Sequence, residues 1–122
     1  MFSWLSNRKD VPDDAPPTPD LAQLQAQDLA VVFKHSPSCP TSWAAQKQVE
    51  AFAANNPAVP VYTILVRQDR EISQQIAAFT KIRHQSPQVI VLRHGVPVAD
   101  ASHQDVTLDF LTDAIAASPH PA

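Results

Sequence analysis

At 122 residues the chain has room for one domain with a real core, and its 44% hydrophobic and 17% charged residues are ordinary for a globular protein. A formal net charge of -3 without any run of Lys or Arg excludes the electrostatic footprint of a nucleic-acid binder. No apolar stretch approaches the roughly 18 residues that cross a bilayer, so no membrane partner is expected.

The start, MFSWLSNRKD, lacks the basic opening, long apolar middle and small-residue cleavage site of a secretory signal, and a cytoplasmic location is expected. Residues 1–20 hold four prolines and four aspartates and read as an irregular or extended arm; the tail SPHPA repeats that pattern. The organisation is therefore a proline-rich arm over 1–20 and a domain over 21–118. Asp20 is placed to cap a short helix over Leu21 to Gln27, with Leu21 and Leu24 inward. LAVVF, residues 29–33, is rich in β-branched side chains and reads as a buried strand.

A cysteine loop follows, then a helix over about Thr41 to Ala54 with Ala45, Val49, Phe52 and Ala53 on one face, stopped by Asn55, Asn56 and Pro57. VPVYTILV, residues 59–66, is a second strand, and Arg70 to about Thr80 a second amphipathic helix carrying Ile72, Ile76, Ala77 and Phe79. VIVL, residues 89–92, is a third strand. Arg93-His94-Gly95 makes a tight turn into a fourth, VPVADA, which Pro97 places at an edge. Asp105 then caps a last helix with Leu108, Leu111 and Ile115 inward.

The order is β-α-β-α-β-β-α behind a leading helix. Strands separated by helices imply parallel pairing or right-handed crossovers for the first three; the hairpin implies an antiparallel pair at the end. An α/β chain with such a mixed four-stranded sheet and helices on both faces has the thioredoxin-like architecture.

The single cysteine, Cys39, excludes an intramolecular disulfide and an all-cysteine metal site within one chain. Its setting is specific: a strand, the loop KHSPS, Cys39, Pro40, then a helix. Proline suits the first helical position, which makes Cys39 the N-cap. There the amides of Thr41 and Ser42 are expected to donate to the sulfur, and the Ser42 hydroxyl as well, favouring a thiolate. The plain alternative is a buried thiol without chemistry, and the strand–loop–Cys–Pro–helix setting favours the reactive one. Lys34 and His35 are expected to add positive character nearby. His35 reads equally as a partial cation beside the sulfur and as a surface residue. Trp43 reads as a packing residue. A Cys/His metal site needs three or four converging ligands, and none is expected.

KHSPSCPTS, then HQSPQVIVLRHGVPV and ASHQDVT, resembles the monothiol bacilliredoxins of the YtxJ type, over about Leu21 to Ile115. These thioredoxin-like proteins are tied to bacillithiol, a small thiol that replaces glutathione in some bacteria. The loop Ser38-Cys39-Pro40-Thr41-Ser42 departs from the family's commonest form at Ser38 and Thr41, without touching the nucleophile or the helix start. The resemblance implies a thiol–disulfide oxidoreductase in which Cys39 takes bacillithiol from S-bacillithiolated client proteins, with bacillithiol as co-substrate and no bound cofactor. Ser42 stands where a thioredoxin has its second cysteine, so resolution inside the chain is impossible.

The resemblance also makes Ser86-Pro87 the other half of the site, with a cis-proline against the sulfur and Ser86 offering its backbone to an incoming chain. It sets His84 and His103 around the loop, packing there or orienting the small thiol. Two rival functions stand beside this reading. A monothiol-glutaredoxin-like protein would bind an iron–sulfur cluster or a thiol, but its Cys-Gly-Phe-Ser loop differs from Cys-Pro-Thr-Ser at both middle positions. A redox-inert adaptor would keep the fold for contacts alone.

Overall fold

The protein is described by a computed structural model over residues 18–117. The SPHPA tail and all but Thr18–Asp20 of the arm lie outside the described residues. The chain enters at α1 (Leu21–Ala26). A helix this short stands only with help. The Asp20 carboxylate accepts from the Gln23 amide at 2.8 Å, and the Gln23 side chain accepts from the Asp20 amide at 2.9 Å. Leu24 anchors the helix to the core formed by Ala30, Val32, Ile72 and Ile76.

Four strands form one sheet in the order β2-β1-β3-β4: β1 (Leu29–His35), β2 (Val61–Leu65), β3 (Gln88–Arg93) and β4 (Val96–Ser102). The helices are α2 (Pro40–Asn55), α3 (Arg70–Thr80) and α4 (Leu108–Ala117), the last preceded by a 3₁₀ turn, His103–Asp105. Val31 and Phe33 face α2 and α4 in one core with Val49, Phe52 and Leu111; Ala30 and Val32 face α1 and α3 in the other. β1 is central and covered on both sides, which is why it reads as continuously apolar.

Parallel pairing holds for β1 with β2 but not for β3, which runs antiparallel to β1. The 11 residues of α3 run back along the sheet for about 16 Å. Lys81 then caps the helix in the left-handed conformation at φ 61°. Residues 81–87, able to span about 23 Å when extended, return the chain so that Gln88 pairs with Lys34 at the end of β1. β3 therefore starts beside the cysteine loop. The Ser86–Pro87 peptide, immediately ahead of it, is cis.

The hairpin between β3 and β4 turns on His94 and Gly95, at φ 53° and 77°, the signs of a type I′ turn. β4 is an edge strand, and its register shifts between Val91 and Leu92, so that Ala99 and Pro97 take successive partners. The last helix differs from expectation in its cap. Asp105 closes the 3₁₀ turn, Val106 drops into the core, and the Thr107 hydroxyl accepts from the Phe110 amide at 3.0 Å. A buried residue has to be seated before the helix can begin, which moves the cap two positions along.

Candidate active site

β1 delivers the chain to Ser36, and a tight turn follows in which the Cys39 amide donates to the Ser36 carbonyl at 3.0 Å. Cys39 is the N-cap of α2, with extended backbone angles, and Pro40 occupies the first helical position. The thiol is free and half-buried. It makes no capping hydrogen bond. Of the two amides expected at the sulfur, that of Ser42 goes elsewhere: it donates to the Cys39 carbonyl at 3.0 Å, as does the Trp43 amide at 3.3 Å. The amide at the third helical position, one that an N-cap side chain ordinarily takes, is thus held by the Cys39 backbone and not by its sulfur.

Ser42 is also otherwise engaged. Its hydroxyl accepts from the Ser36 amide at 2.9 Å and lies 2.7 Å from His35 Nδ1. Lys34, His35 and Ser42 each have 0% exposure. His35 is therefore not a surface residue. Its ring stacks on Phe33 at 5.3 Å and meets Trp43 edge-on at 4.9 Å. Trp43 in turn folds back over the loop and donates from Nε1 to the Pro37 carbonyl at 2.6 Å. Phe33, His35, Ser42 and Trp43 thus form a scaffold that fixes both ends of the loop bearing Cys39.

Lys34 does not lend its charge to that loop. Being one residue along the strand from Phe33 and His35, it points to the α3 side, as side chains alternate. There its ammonium donates to the Ser73 carbonyl at 3.1 Å and lies 3.1 Å from His84 Nδ1, which is 3.4 Å from the Ser73 hydroxyl. Burial lowers the Lys34 pKa to about 8. Burial, and then the Lys34 charge, lower that of His84. With Lys34 protonated, His84 Nδ1 accepts and the ring carries its proton on Nε2.

These assignments carry a sign. The folded Lys34 loses its proton near pH 8, whereas an unfolded lysine does so near 10.4. Across that window the unfolded chain binds more protons, so this residue's contribution to stability rises with pH, by up to about 3 kcal/mol. Lys34→Met is expected to be more stable than wild type at pH 7 by about 1–2 kcal/mol, since a buried charge is removed with little change in volume. That advantage shrinks by pH 10, as urea unfolding at the two pH values will show. A constant difference would contradict the burial of a charged lysine.

His103 stands near the other half of the site. It opens the 3₁₀ turn at φ 57°, and its amide donates to the Pro87 carbonyl at 2.9 Å. With Thr41, Ala44 and Gln48 of α2 it borders a groove of about 250 Å3. Cys39 heads α2, the helix that carries Thr41 and Ala44. The chain segment after β4 is in this way tied both to the cis peptide and to the first turn of α2. His84 belongs instead to the Lys34 cluster on the opposite face. Sequence reasoning missed Ser73 altogether; no local pattern marks a helix serine as the partner of a strand lysine 39 residues away.

The family model of monothiol bacilliredoxin BrxC matches residues 17–111. The chain belongs to the monothiol bacilliredoxin family. A thiol-redox role follows from that membership. Among solved structures, a protein with a thioredoxin fold is 30% identical to this bacilliredoxin, over 77% of this chain and 83% of its own, with a TM-score of 0.72. Thioredoxin from Fasciola hepatica is 21% identical over 79% and 86% of the two chains, with a TM-score of 0.62. Thioredoxin f2 from Chlamydomonas reinhardtii is 18% identical over 86% and 97%, with a TM-score of 0.64. These last two share the fold with the bacilliredoxin. Among the described residues no helix is long and apolar enough to cross a membrane.

Proposed function

We propose that the protein removes bacillithiol from S-bacillithiolated client proteins in the cytoplasm, with Cys39 as the nucleophile. The Cys39 thiolate attacks the bacillithiol sulfur of the client's mixed disulfide. A Cys39–bacillithiol disulfide forms, the old bond breaks, and the client leaves as its thiolate. A second bacillithiol, as thiolate, then attacks the adduct, releases Cys39 and forms bacillithiol disulfide, so electrons balance without any other oxidant or reductant.

One observation supports this reading most: the free Cys39 heads α2 directly before Pro40, while Ser42, where a resolving cysteine would sit, has its hydroxyl bonded to Ser36 and His35. A sulfur so placed can form a mixed disulfide that nothing else in the chain resolves. Pro87 and Ser86 are the proposed platform for the incoming chain, with Thr41 and His103 beside it. His35, Pro40 and Ser42 are proposed as support, and His84 as a contact of the small thiol.

The test uses the full chain and a client carrying bacillithiol on one cysteine, followed by intact mass. Wild type is expected to strip the adduct and to carry it on Cys39 until free bacillithiol is added. Cys39→Ser is expected to leave the client modified. Equal loss of the adduct with both proteins would refute the proposal.

A further inference from the structure

On the α3 side of the sheet, away from α2, lies a cleft of about 310 Å3 lined by Val66, Arg67, Arg70, Ser73, Gln74 and His84. Arg67 sits in the turn after β2 and Arg70 opens α3; both are exposed. Among the described residues no hydrogen bond or ion pair occupies either guanidinium. Nearby acids are turned away. The Asp69 carboxylate accepts from the Leu65 amide at 2.9 Å, and Glu71 borders a different cleft. Beneath lies the buried Lys34 ammonium, 3.1 Å from His84 Nδ1. That contact directs the remaining ring proton of His84 to Nε2, where it is a donor. The walls therefore present cations and N–H donors and no carboxylate.

The cleft reaches the end of β1, from which the cysteine loop leaves. The amide of Val66, one of its lining residues, donates to the carbonyl of His35 at 3.1 Å. His84 precedes the Ser86–Pro87 peptide by two residues. An anion held here would lie across the end of β1 from Cys39. A planar guanidinium takes a carboxylate through two parallel N–H···O bonds, so the cleft suits a small thiol that carries carboxylates.

We infer that this cleft is the carboxylate-binding subsite for the small-thiol partner of Cys39, with Arg67 and Arg70 as the ligands and the Lys34–His84 pair as its fixed positive floor. The inference rests on the exchange reading above. No covalent step occurs in the cleft; it holds one half of the disulfide while Cys39 attacks.

Two measurements separate the subsite from the exchange reaction. In the first, full-length Cys39→Ser protein is titrated with succinate at constant ionic strength while the His84 ring signals are followed by NMR. A saturable displacement is expected, abolished in the Arg67→Gln/Arg70→Gln background. A displacement that chloride reproduces, or one that inorganic phosphate saturates and succinate does not, would overturn the assignment. In the second, wild type and the Arg67→Gln/Arg70→Gln variant react with dithiodiglycolate, which carries carboxylates, and with neutral hydroxyethyl disulfide. The double substitution is expected to slow the first reaction about tenfold while leaving the second within about twofold. Equal slowing of both, or of neither, would contradict the subsite. If wild type reacts with neither disulfide, the exchange reading fails, and the succinate titration alone decides the cleft.

Discussion

Ser42→Ala is expected to lower the stability of the protein by about 2–4 kcal/mol and to slow disulfide exchange by Cys39. The hydroxyl it removes is buried and serves two partners, the Ser36 amide at 2.9 Å and His35 Nδ1 at 2.7 Å. Deleting one side of a buried hydrogen bond leaves the other desolvated, at about 1–3 kcal/mol for each group. Loss of the Ser36 bond also frees the loop whose position fixes the sulfur, so the exchange rate falls along with the unfolding midpoint. Ser38→Ala provides the contrast. Its hydroxyl is exposed and only 3.4 Å from that of Ser36, and its removal is expected to change stability by less than about 0.5 kcal/mol. Urea unfolding of the two variants checks both values; equal, small effects would mean that Ser42 does not hold the loop.

Gly95→Ala is expected to cost about 2–4 kcal/mol, far from the cysteine. Two penalties add at this position. Gly95 sits at φ 77°, where a side chain costs about 1–2 kcal/mol. A Cβ there would also lie 3.0 Å from both Cα and the carbonyl oxygen of Gln25. Those atoms are backbone of α1 and cannot rotate away. The helix must move, and Leu24, next to Gln25, has to leave its fully buried seat. Thermal or urea unfolding reads the loss, and a variant as stable as wild type would show that α1 is not pressed against the hairpin. The chain's single glycine stands where both its dihedral freedom and its missing side chain are needed.

Much of this fold is legible locally. Arg70–Thr80 follows from the spacing of Ile72 and Ile76, the Asp20 cap from its position before Leu21, and the Cys39 N-cap from a proline that can only begin a helix. The direction of β3 is not legible, because it depends on residues 81–87 returning the chain along the sheet, and their length permits more than one path. Lys34 and His35 mislead for a related reason. Two polar residues after an apolar run look like a strand leaving the core. Yet the strand continues through both, since Ser73 and His84 on one face hold the Lys34 ammonium and Ser42 on the other meets His35 Nδ1. Parity along β1 was the available signal, because it sets Lys34 with Ala30 and Val32 and sets His35 with Val31 and Phe33.

The same distance in sequence hides the division of the histidines. His103 joins the groove by Thr41 through a left-handed turn after β4, and His84 joins the lysine on the opposite face. Three of the contacts that hold the cysteine loop in place are legible only afterwards, as they involve a serine expected to face the sulfur and a tryptophan whose indole reaches back to Pro37.

The most direct check is to expose the purified full-length protein to bacillithiol disulfide and sequence its tryptic peptides by mass spectrometry. A bacillithiol adduct on the peptide containing residue 39, removed by fresh bacillithiol and missing from Cys39→Ser, is what the proposed function predicts. An unmodified thiol after prolonged exposure, in protein that remains folded, would show that the sulfur at the head of α2 is not a nucleophile toward disulfides.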